Sequence, residues 1–174
     1  MLFLADPSLA YKNTFLEGLR EFQAEGREQH LNIDELEKDF PAYLSRLEDA
    51  RDRTKKPPDR VPTSTYWLID GNEYIGTLHV RHELNEQLLI WGGHIGYRIR
   101  PSHRQRGYGK EILRLGLEKA NAMGLKRVLL TCDEDNIGSK KIIEYNGGKL
   151  ENAVLIEGSP AKKLRYWIEI KEYS

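Results

Sequence analysis

The spacing of apolar residues divides the chain into a helical first third and a strand-rich remainder. Residues 8–26 place their apolar side chains roughly on one face of a helix, which the glycine at the end of this stretch would terminate. A second, more charged helical stretch covers residues 32–53, where Pro41 is expected to kink the helix or to begin a new one. Residues 54–62 contain three prolines among polar side chains and are typical of a surface loop.

Alternation of apolar and polar positions predicts strands in the next part of the chain. A hairpin is expected where the turn signal "DGN" separates "TYWLID" from "EYIGTLHVRHEL", and a third strand, "HIGYRIR", would stop at Pro101. A helix over residues 107–124, a buried strand in "RVLLT" and a helix from Asn136 to a glycine pair follow, before "GKLENAVLIEG" and "AKKLRYWIEI" form a closing hairpin. This order of elements predicts a single α+β domain with a mixed sheet over residues 1–174.

Composition limits the partners of such a domain. Lysine plus arginine and aspartate plus glutamate both number 27, so no overall field draws the chain toward nucleic acid or an anionic membrane. The one cysteine, Cys132, cannot form an intrachain disulfide. The apolar N-terminus is too short for a signal peptide, and no apolar run approaches the ~20 residues of a membrane-spanning helix. We therefore expect a cytoplasmic domain without nucleic-acid or membrane partners, in which any anion site is local.

One local anion site is indicated between residues 98 and 110. This stretch leaves a predicted strand, enters a predicted helix and holds no carboxylate but five cations, Arg98, Arg100, Arg104, Arg106 and Lys110. The first N–H groups of a helix have no intrahelical partner and favour anions. Glycines at 107 and 109 remove the Cβ atoms that would keep a ligand away from those amides. Together these features predict a cradle for a phosphate or a pyrophosphate.

The two common nucleotide-binding motifs do not fit this stretch. No P-loop sequence is present, and the dinucleotide fingerprint would need a third glycine where Ile112 stands. The stretch instead matches Gln/Arg-x-x-Gly-x-Gly/Ala through Arg104, Gly107 and Gly109. In this motif the chain resembles the GNAT superfamily of acetyl-CoA-dependent N-acetyltransferases, and more narrowly a bacterial branch of it. The resemblance in element order covers nearly the whole chain, and the motif-level match covers residues 94–148.

This resemblance implies a fold, a cosubstrate and a set of binding residues. The fold would be a central mixed, mostly antiparallel sheet flanked by about four helices. Acetyl-CoA would be the cosubstrate, without a metal: loop amides would bind the pyrophosphate of coenzyme A, and the main chain of Ile99 would pair with the pantetheine. The residues expected to bind the coenzyme are Ile99, Arg104, Gln105, Arg106, Gly107, Tyr108, Gly109, Lys110, Asn136 and Ser139.

The sequence departs from the family where a catalytic tyrosine is expected. Counting from Asn136, many members carry a tyrosine that protonates the leaving thiolate at the position occupied here by Ile143. Tyr145 lies two residues later, about 200° around a helix, and should face elsewhere. Ser139 is the candidate hydrogen-bond donor to the thiol or thioester. The alternative is that Ser139 is only a small residue that allows the helix to pack. The thiolate could also leave without help from the protein.

Candidates for the general base and the acceptor site are less specific. An amine must be neutral to attack, so a base has to remove its proton. His94 is the candidate base, because it is the nearest titratable residue on the strand before the loop. The alternative is a structural histidine that forms a hydrogen bond to a neighbouring strand. His82, Glu83 and Glu86 lie toward a hairpin end and would attract a cationic amine, unless they form an ordinary solvated turn. Cys132 is expected to be buried and structural.

The resulting hypothesis is direct transfer of an acetyl group to a primary amine, without an acyl-enzyme. The partners would be acetyl-CoA and a small-molecule or peptide amine whose identity the sequence leaves open. Oligomeric state is also open, with a homodimer as one option. The alternative is a catalytically weak or inactive coenzyme A-binding module that regulates a partner, which Ile143 at the tyrosine position would favour.

Overall fold

Two antiparallel sheets form the framework of the computed structural model, which describes residues 1–171. The first sheet has the order β1-β2-β3-β4 and the second has the order β5-β7-β6. The strands are β1 Leu2–Ala5, β2 Thr63–Asp70, β3 Glu73–Arg81, β4 Ile95–Ile99, β5 Arg127–Asp133, β6 Lys149–Val154 and β7 Lys163–Glu169. β4 is therefore one edge of the first sheet, and β5 is one edge of the second.

Six α-helices surround the two sheets within the described part of the chain. They are α1 Lys12–Ala24, α2 Ile33–Lys38, α3 Phe40–Arg51, α4 Glu86–Ile90, α5 Tyr108–Ala122 and α6 Ile137–Tyr145. Pro41 stands in the first turn of α3, where a missing N–H costs nothing, and the Asp39 side chain caps that helix. Of the two outcomes expected for Pro41, a new helix is the one observed.

The first sheet separates two hydrophobic layers. On one face, α1–α3 pack an aromatic cluster against the sheet, in which the Phe15 and Trp67 rings stack with centroids 4.3 Å apart. On the other face, α5 covers β1, β3 and β4. The core on that side, which includes Ile112 and Leu113 of α5, continues beneath α6 to the second sheet. Burial on both faces explains why β2 consists almost wholly of buried residues.

The α+β prediction is confirmed, and two elements were missed. The sequence pattern indicates only a short apolar N-terminus at residues 1–5, but the structure has β1 there, paired antiparallel with β2. α4 lies in the segment that was expected to lead directly into the third strand, and the Asn85 side chain caps it by accepting from the Leu88 N–H. Among the described residues no helix has the length and apolar character needed to cross a membrane.

Candidate active site

The gap between β4 and β5, which are edge strands of different sheets, is the centre of the candidate site. His94, just before β4, joins the two strands: its N–H donates to the Leu129 carbonyl at 2.8 Å, and its Nδ1 accepts from the Leu129 N–H at 2.9 Å. Beyond this junction the strands belong to different sheets. α5 begins just past the end of β4, and α6 just past the end of β5. Two helix N-termini therefore open at the same end of the gap.

The contacts of His94 favour a structural role over that of a base. The ring is 7% exposed, and burial, with the nearby charge of Arg81, lowers its pKa to about 4. Because Nδ1 accepts a backbone N–H, the neutral ring carries its proton on Nε2 and has no free lone pair for an amine. The strand-bridging alternative therefore accounts for the observed geometry, and the base role of His94 stays a prediction that these contacts disfavour.

The loop before α5 has the shape expected of an anion cradle. Gly107 caps the helix with φ 85° and contributes no side chain, and a Cβ built there would meet nothing within 4 Å. Gln105 also has a positive φ, 61°, which is uncommon for a residue other than glycine. Gly109 serves packing instead, because its Cβ would lie 2.4 Å from the Ile142 side chain of α6. The first amides of α5 are therefore accessible beside an open surface.

Most of the expected positive patch is neutralised by carboxylates from elsewhere in the chain. Glu21 of α1 pairs with Arg100, and Glu25 binds Arg104 through two contacts of 2.6 and 3.0 Å. Arg98 lies 3.4 Å from a carboxylate oxygen of Glu28. The sequence stretch contains no acid, but the folded site does.

Two cations of the stretch remain available for an anion. Arg106 and Lys110 are exposed, and neither forms an ion pair within the part of the chain that the structure describes. The Lys110 ammonium lies 4.5 Å from the ring centre of Tyr145, which gives that tyrosine a local partner outside the gap. Anion binding at this loop would therefore depend on backbone amides, Arg106 and Lys110, with Arg104 joining only if it leaves Glu25.

The remaining predicted loop residues are also engaged in local contacts. The Tyr108 hydroxyl donates to Asp70 at 2.7 Å, and this hydrogen bond and burial raise the pKa of Tyr108. The Ile99 carbonyl, expected to pair with pantetheine, accepts from the Arg104 Nε at 3.2 Å. These contacts leave the predicted roles of Ile99 and Tyr108 untested.

Ser139 lies in the gap, but with a neighbour that the sequence did not suggest. The Asn136 side chain caps α6 by accepting from the Ser139 N–H at 3.1 Å. The Ser139 Oγ lies 3.1 Å from the hydroxyl oxygen of Tyr97 on β4. Ile143, where a tyrosine was expected, is 1% exposed and belongs to the core. The signal for Tyr97 was its strand parity with Ile99, since both face the helices α5 and α6.

Sequence and structural comparisons identify the family. A family model described as "Acetyltransferase (GNAT) domain" matches residues 19–149. The chain belongs to the GNAT acetyltransferase family. Among curated proteins compared by sequence, none matches.

Solved GNAT structures share this fold over almost the whole chain at low sequence identity. A Salmonella typhimurium acetyltransferase that modifies the N-terminal serine of the 50S ribosomal subunit protein L7/L12 is 17% identical, with a TM-score of 0.67, covering 98% of this chain and 95% of that one. Mycobacterium smegmatis RimJ in complex with CoA-disulfide is 18% identical, with a TM-score of 0.70 and coverage of 97% and 81%. The microcin C7 self-immunity acetyltransferase MccE, in complex with acetyl-CoA and AMP, is 14% identical, with a TM-score of 0.70 and coverage of 97% and 92%.

Membership of the family makes this protein an acetyl-CoA-dependent acetyltransferase, with acetyl-CoA as its cosubstrate. Within residues 1–171, no three side chains of histidine, cysteine, aspartate or glutamate are grouped so that they could hold a metal ion. Cys132 is 6% exposed, and burial raises the pKa of its thiol, which disfavours the thiolate. A covalent acyl-cysteine therefore has no support in this acetyltransferase.

The residues predicted for the acceptor do not come together. His82 shares a 2.8 Å hydrogen bond with Ser64 of β2, and Glu83 binds Arg53 in the loop after α3. Glu86 lies exposed in the first turn of α4. The carboxylate of Glu83 is thus already paired with a cation, and an acceptor role for these three residues remains a prediction.

A different polar cluster covers the face of β3 and β4 that is turned toward α1–α3. The His79 Nδ1 lies 2.9 Å from the Thr65 hydroxyl, and its Nε2 lies 3.3 Å from the Arg98 guanidinium. Burial, with the charges of Arg98 and Arg81, lowers the pKa of His79 to about 3. Glu28, in the left-handed region at φ 55°, closes the cluster against Arg98. His79 is therefore neutral and holds Arg98 in place.

Proposed function

We propose that this acetyltransferase transfers the acetyl group directly to a primary amine in a ternary complex. The observation that supports it is the gap between β4 and β5, with the accessible amides after Gly107 at the start of α5 and the Ser139 hydroxyl in the first turn of α6. Both helix N-termini favour the negative groups of the reaction, namely the pyrophosphate and the departing sulfur. Binding both substrates side by side would supply much of the rate through proximity.

The reaction requires one proton to leave nitrogen and one to reach sulfur. A neutral amine attacks the thioester carbon, the C–N bond forms, and the C–S bond breaks with its electron pair going to sulfur. The nitrogen then gives up its proton, and the Ser139 O–H is placed to donate a hydrogen bond to the thiolate. An alkylammonium has a pKa near ~10, so the rate should rise with pH as more neutral amine becomes available.

The acceptor is proposed only as a class, a small-molecule or peptide amine. A peptide α-amine is compatible with the Salmonella typhimurium neighbour, which modifies a protein N-terminus. A homodimer and a cytoplasmic location remain predictions. The competing proposal, a coenzyme A-binding regulatory module, is favoured by the buried Ile143 at the tyrosine position.

The decisive experiment measures thiol release from acetyl-CoA with a panel of amines: peptide N-termini, lysine peptides, polyamines, amino sugars and amino acids. Amine-dependent release of free thiol supports the transferase. Tight binding of coenzyme A without thiol release from any amine would favour the regulatory module.

The cofactor end of the site is tested by removing one exposed cation. Lys110→Ala should weaken coenzyme A binding by about two- to fivefold, and the loss should shrink at high salt, because exposed charge interactions are weak and screened. Lys141→Ala removes an equally exposed lysine from α6 and should leave the dissociation constant unchanged. Equal effects of the two substitutions in calorimetry would argue against an anion cradle at this loop.

A further inference from the structure

Two hydroxyl groups meet across the gap between the sheets. Tyr97 extends from β4 and Ser139 from the first turn of α6, and their oxygens lie 3.1 Å apart. The two residues are far apart in sequence and come from opposite walls of the gap. Burial is the main cause that raises the pKa of Tyr97, and the negative form of Cys132 on β5 would add to it, so Cys132 lies near the phenol.

The pair keeps one hydroxyl proton free whichever way the hydrogen bond runs. Each hydroxyl has one proton to donate and can accept, so one O–H is used and the other remains. Burial raises the pKa of Tyr97 to about 12, so the phenol stays protonated through the physiological range. The Ser139 N–H is already bound to the Asn136 cap, which fixes the backbone beneath the hydroxyl.

We propose that Tyr97 is a positioning residue whose O–H donates to the Ser139 Oγ and thereby directs the Ser139 proton toward the sulfur of coenzyme A. This inference rests on the proposed function. It explains why Ile143 can occupy the position of the expected tyrosine: the phenol enters the site from β4 instead of α6. The Ile143 side chain is buried in the core, so that position has no access to the gap.

Hydrogen bonding, and not proton transfer, is the role that the energetics allow. A simple thiol has a pKa of ~8.5, so moving the phenol proton to the thiolate would be unfavourable by about 3.5 pKa units, or roughly three thousandfold. Tyr97 and Ser139 therefore both keep their protons. The electron pair of the broken C–S bond stays on sulfur, and the thiolate then takes a proton from solvent. The proton lost by the amine goes to solvent as well.

Kinetics of conservative variants test the pairing. Tyr97→Phe should lower kcat about tenfold while the KM for acetyl-CoA changes less than about twofold, since one hydrogen bond in the transition state is lost. The double variant with Ser139→Ala should be no slower than Ser139→Ala alone, because Tyr97 acts through Ser139. Tyr166→Phe is the matched control: it removes a tyrosine hydroxyl that donates to Glu144 and not to Ser139, and it should leave kcat unchanged.

A second readout does not depend on turnover. The thiol pKa of bound coenzyme A, followed by the ultraviolet absorbance of the thiolate, should be lower than that of free coenzyme A. It should rise toward the free value in Tyr97→Phe and in Ser139→Ala, but not in Tyr166→Phe.

The two readouts separate failure of this inference from failure of the proposed function. A bound thiol pKa that Tyr97→Phe leaves unchanged, or independent kinetic losses from the two substitutions, would overturn the positioning role even if amines are acetylated. A lowered thiol pKa that depends on Tyr97, without acetylation of any amine, would support the pairing and reject the proposed transfer.

Discussion

Replacing His94 by asparagine should make folding stability less dependent on pH while preserving the junction between the sheets. The folded pKa of His94 is about 4, below the ordinary 6.5, because the ring is buried near Arg81. Between these two values the unfolded chain binds a proton that the folded chain refuses, so stability falls as pH falls. The asparagine carbonyl oxygen can occupy the place of Nδ1 and accept the Leu129 N–H, but it does not titrate.

The size of the effect follows from the two pKa values. For a single histidine with pKa about 4 folded and 6.5 unfolded, the free energy of unfolding drops by about 2 kcal/mol between pH ~7 and pH ~5. His79, whose pKa is lowered to about 3, adds a similar slope that is common to both proteins. The difference in slope between wild type and His94→Asn therefore isolates His94.

Urea unfolding at the two pH values measures this difference directly. His94→Leu is the companion variant: it leaves the Leu129 N–H without an acceptor and should lower stability by about 1–3 kcal/mol already at pH ~7. Identical losses of stability on acidification in wild type and His94→Asn would refute the reasoning. If His94→Asn folded and bound coenzyme A normally but lost amine acetylation, the base role expected from the sequence would be restored.

Four further substitutions test the loop and the helix beyond it. Glu25→Gln should tighten coenzyme A binding about two- to fivefold in calorimetry, because Arg104 no longer has to leave a carboxylate; weaker binding would contradict this. Gly107→Ala should cost about 1 kcal/mol of unfolding free energy and weaken coenzyme binding, whereas Gly109→Val should lower stability by about 1–3 kcal/mol through its clash with α6. Ile143→Tyr should overpack the core, lowering stability by about 1–3 kcal/mol in urea unfolding without raising kcat in the thiol assay.

Features set by nearby residues were the ones that the sequence could predict. The glycine before α5, the Asn136 cap of α6 and the hairpin at "DGN" each follow from backbone requirements within a few residues. The family resemblance added the use of acetyl-CoA, which the family match confirms. The missed α4 shows the limit of local patterns, because its five residues are too few to display a helical period.

Contacts between distant segments were not predictable in the same way. Strand alternation puts Tyr97 on the same face of β4 as Ile99, but it cannot show that α6 would bring Ser139 within hydrogen-bonding distance of Tyr97. The role of His94 was equally hard to predict. Histidine is chemically suited to act as a base, but the sequence does not show that its Nδ1 accepts a hydrogen bond from the Leu129 N–H. A titratable residue near a site is therefore weak evidence for a base until its lone pairs are accounted for.

If the loop before α5 binds an anion as proposed, the carboxylates along α1 would influence which anion it selects. Glu17 and Glu21 of α1 and Glu25 at its C-cap follow at four-residue intervals and form one stripe. Glu17 and Glu21 pair with Arg100, and Glu25 pairs with Arg104. The Glu21 carboxylate also accepts a hydrogen bond from the Ser102 N–H, so it holds the chain that leaves β4 in position before any ligand binds. Because these cations are already neutralised, affinity for an anion would have to come from the amides of α5 with Arg106 and Lys110. We would then expect the site to discriminate by the shape of a pyrophosphate more than by charge, so that Lys110→Ala causes only the small, salt-dependent loss of affinity given above.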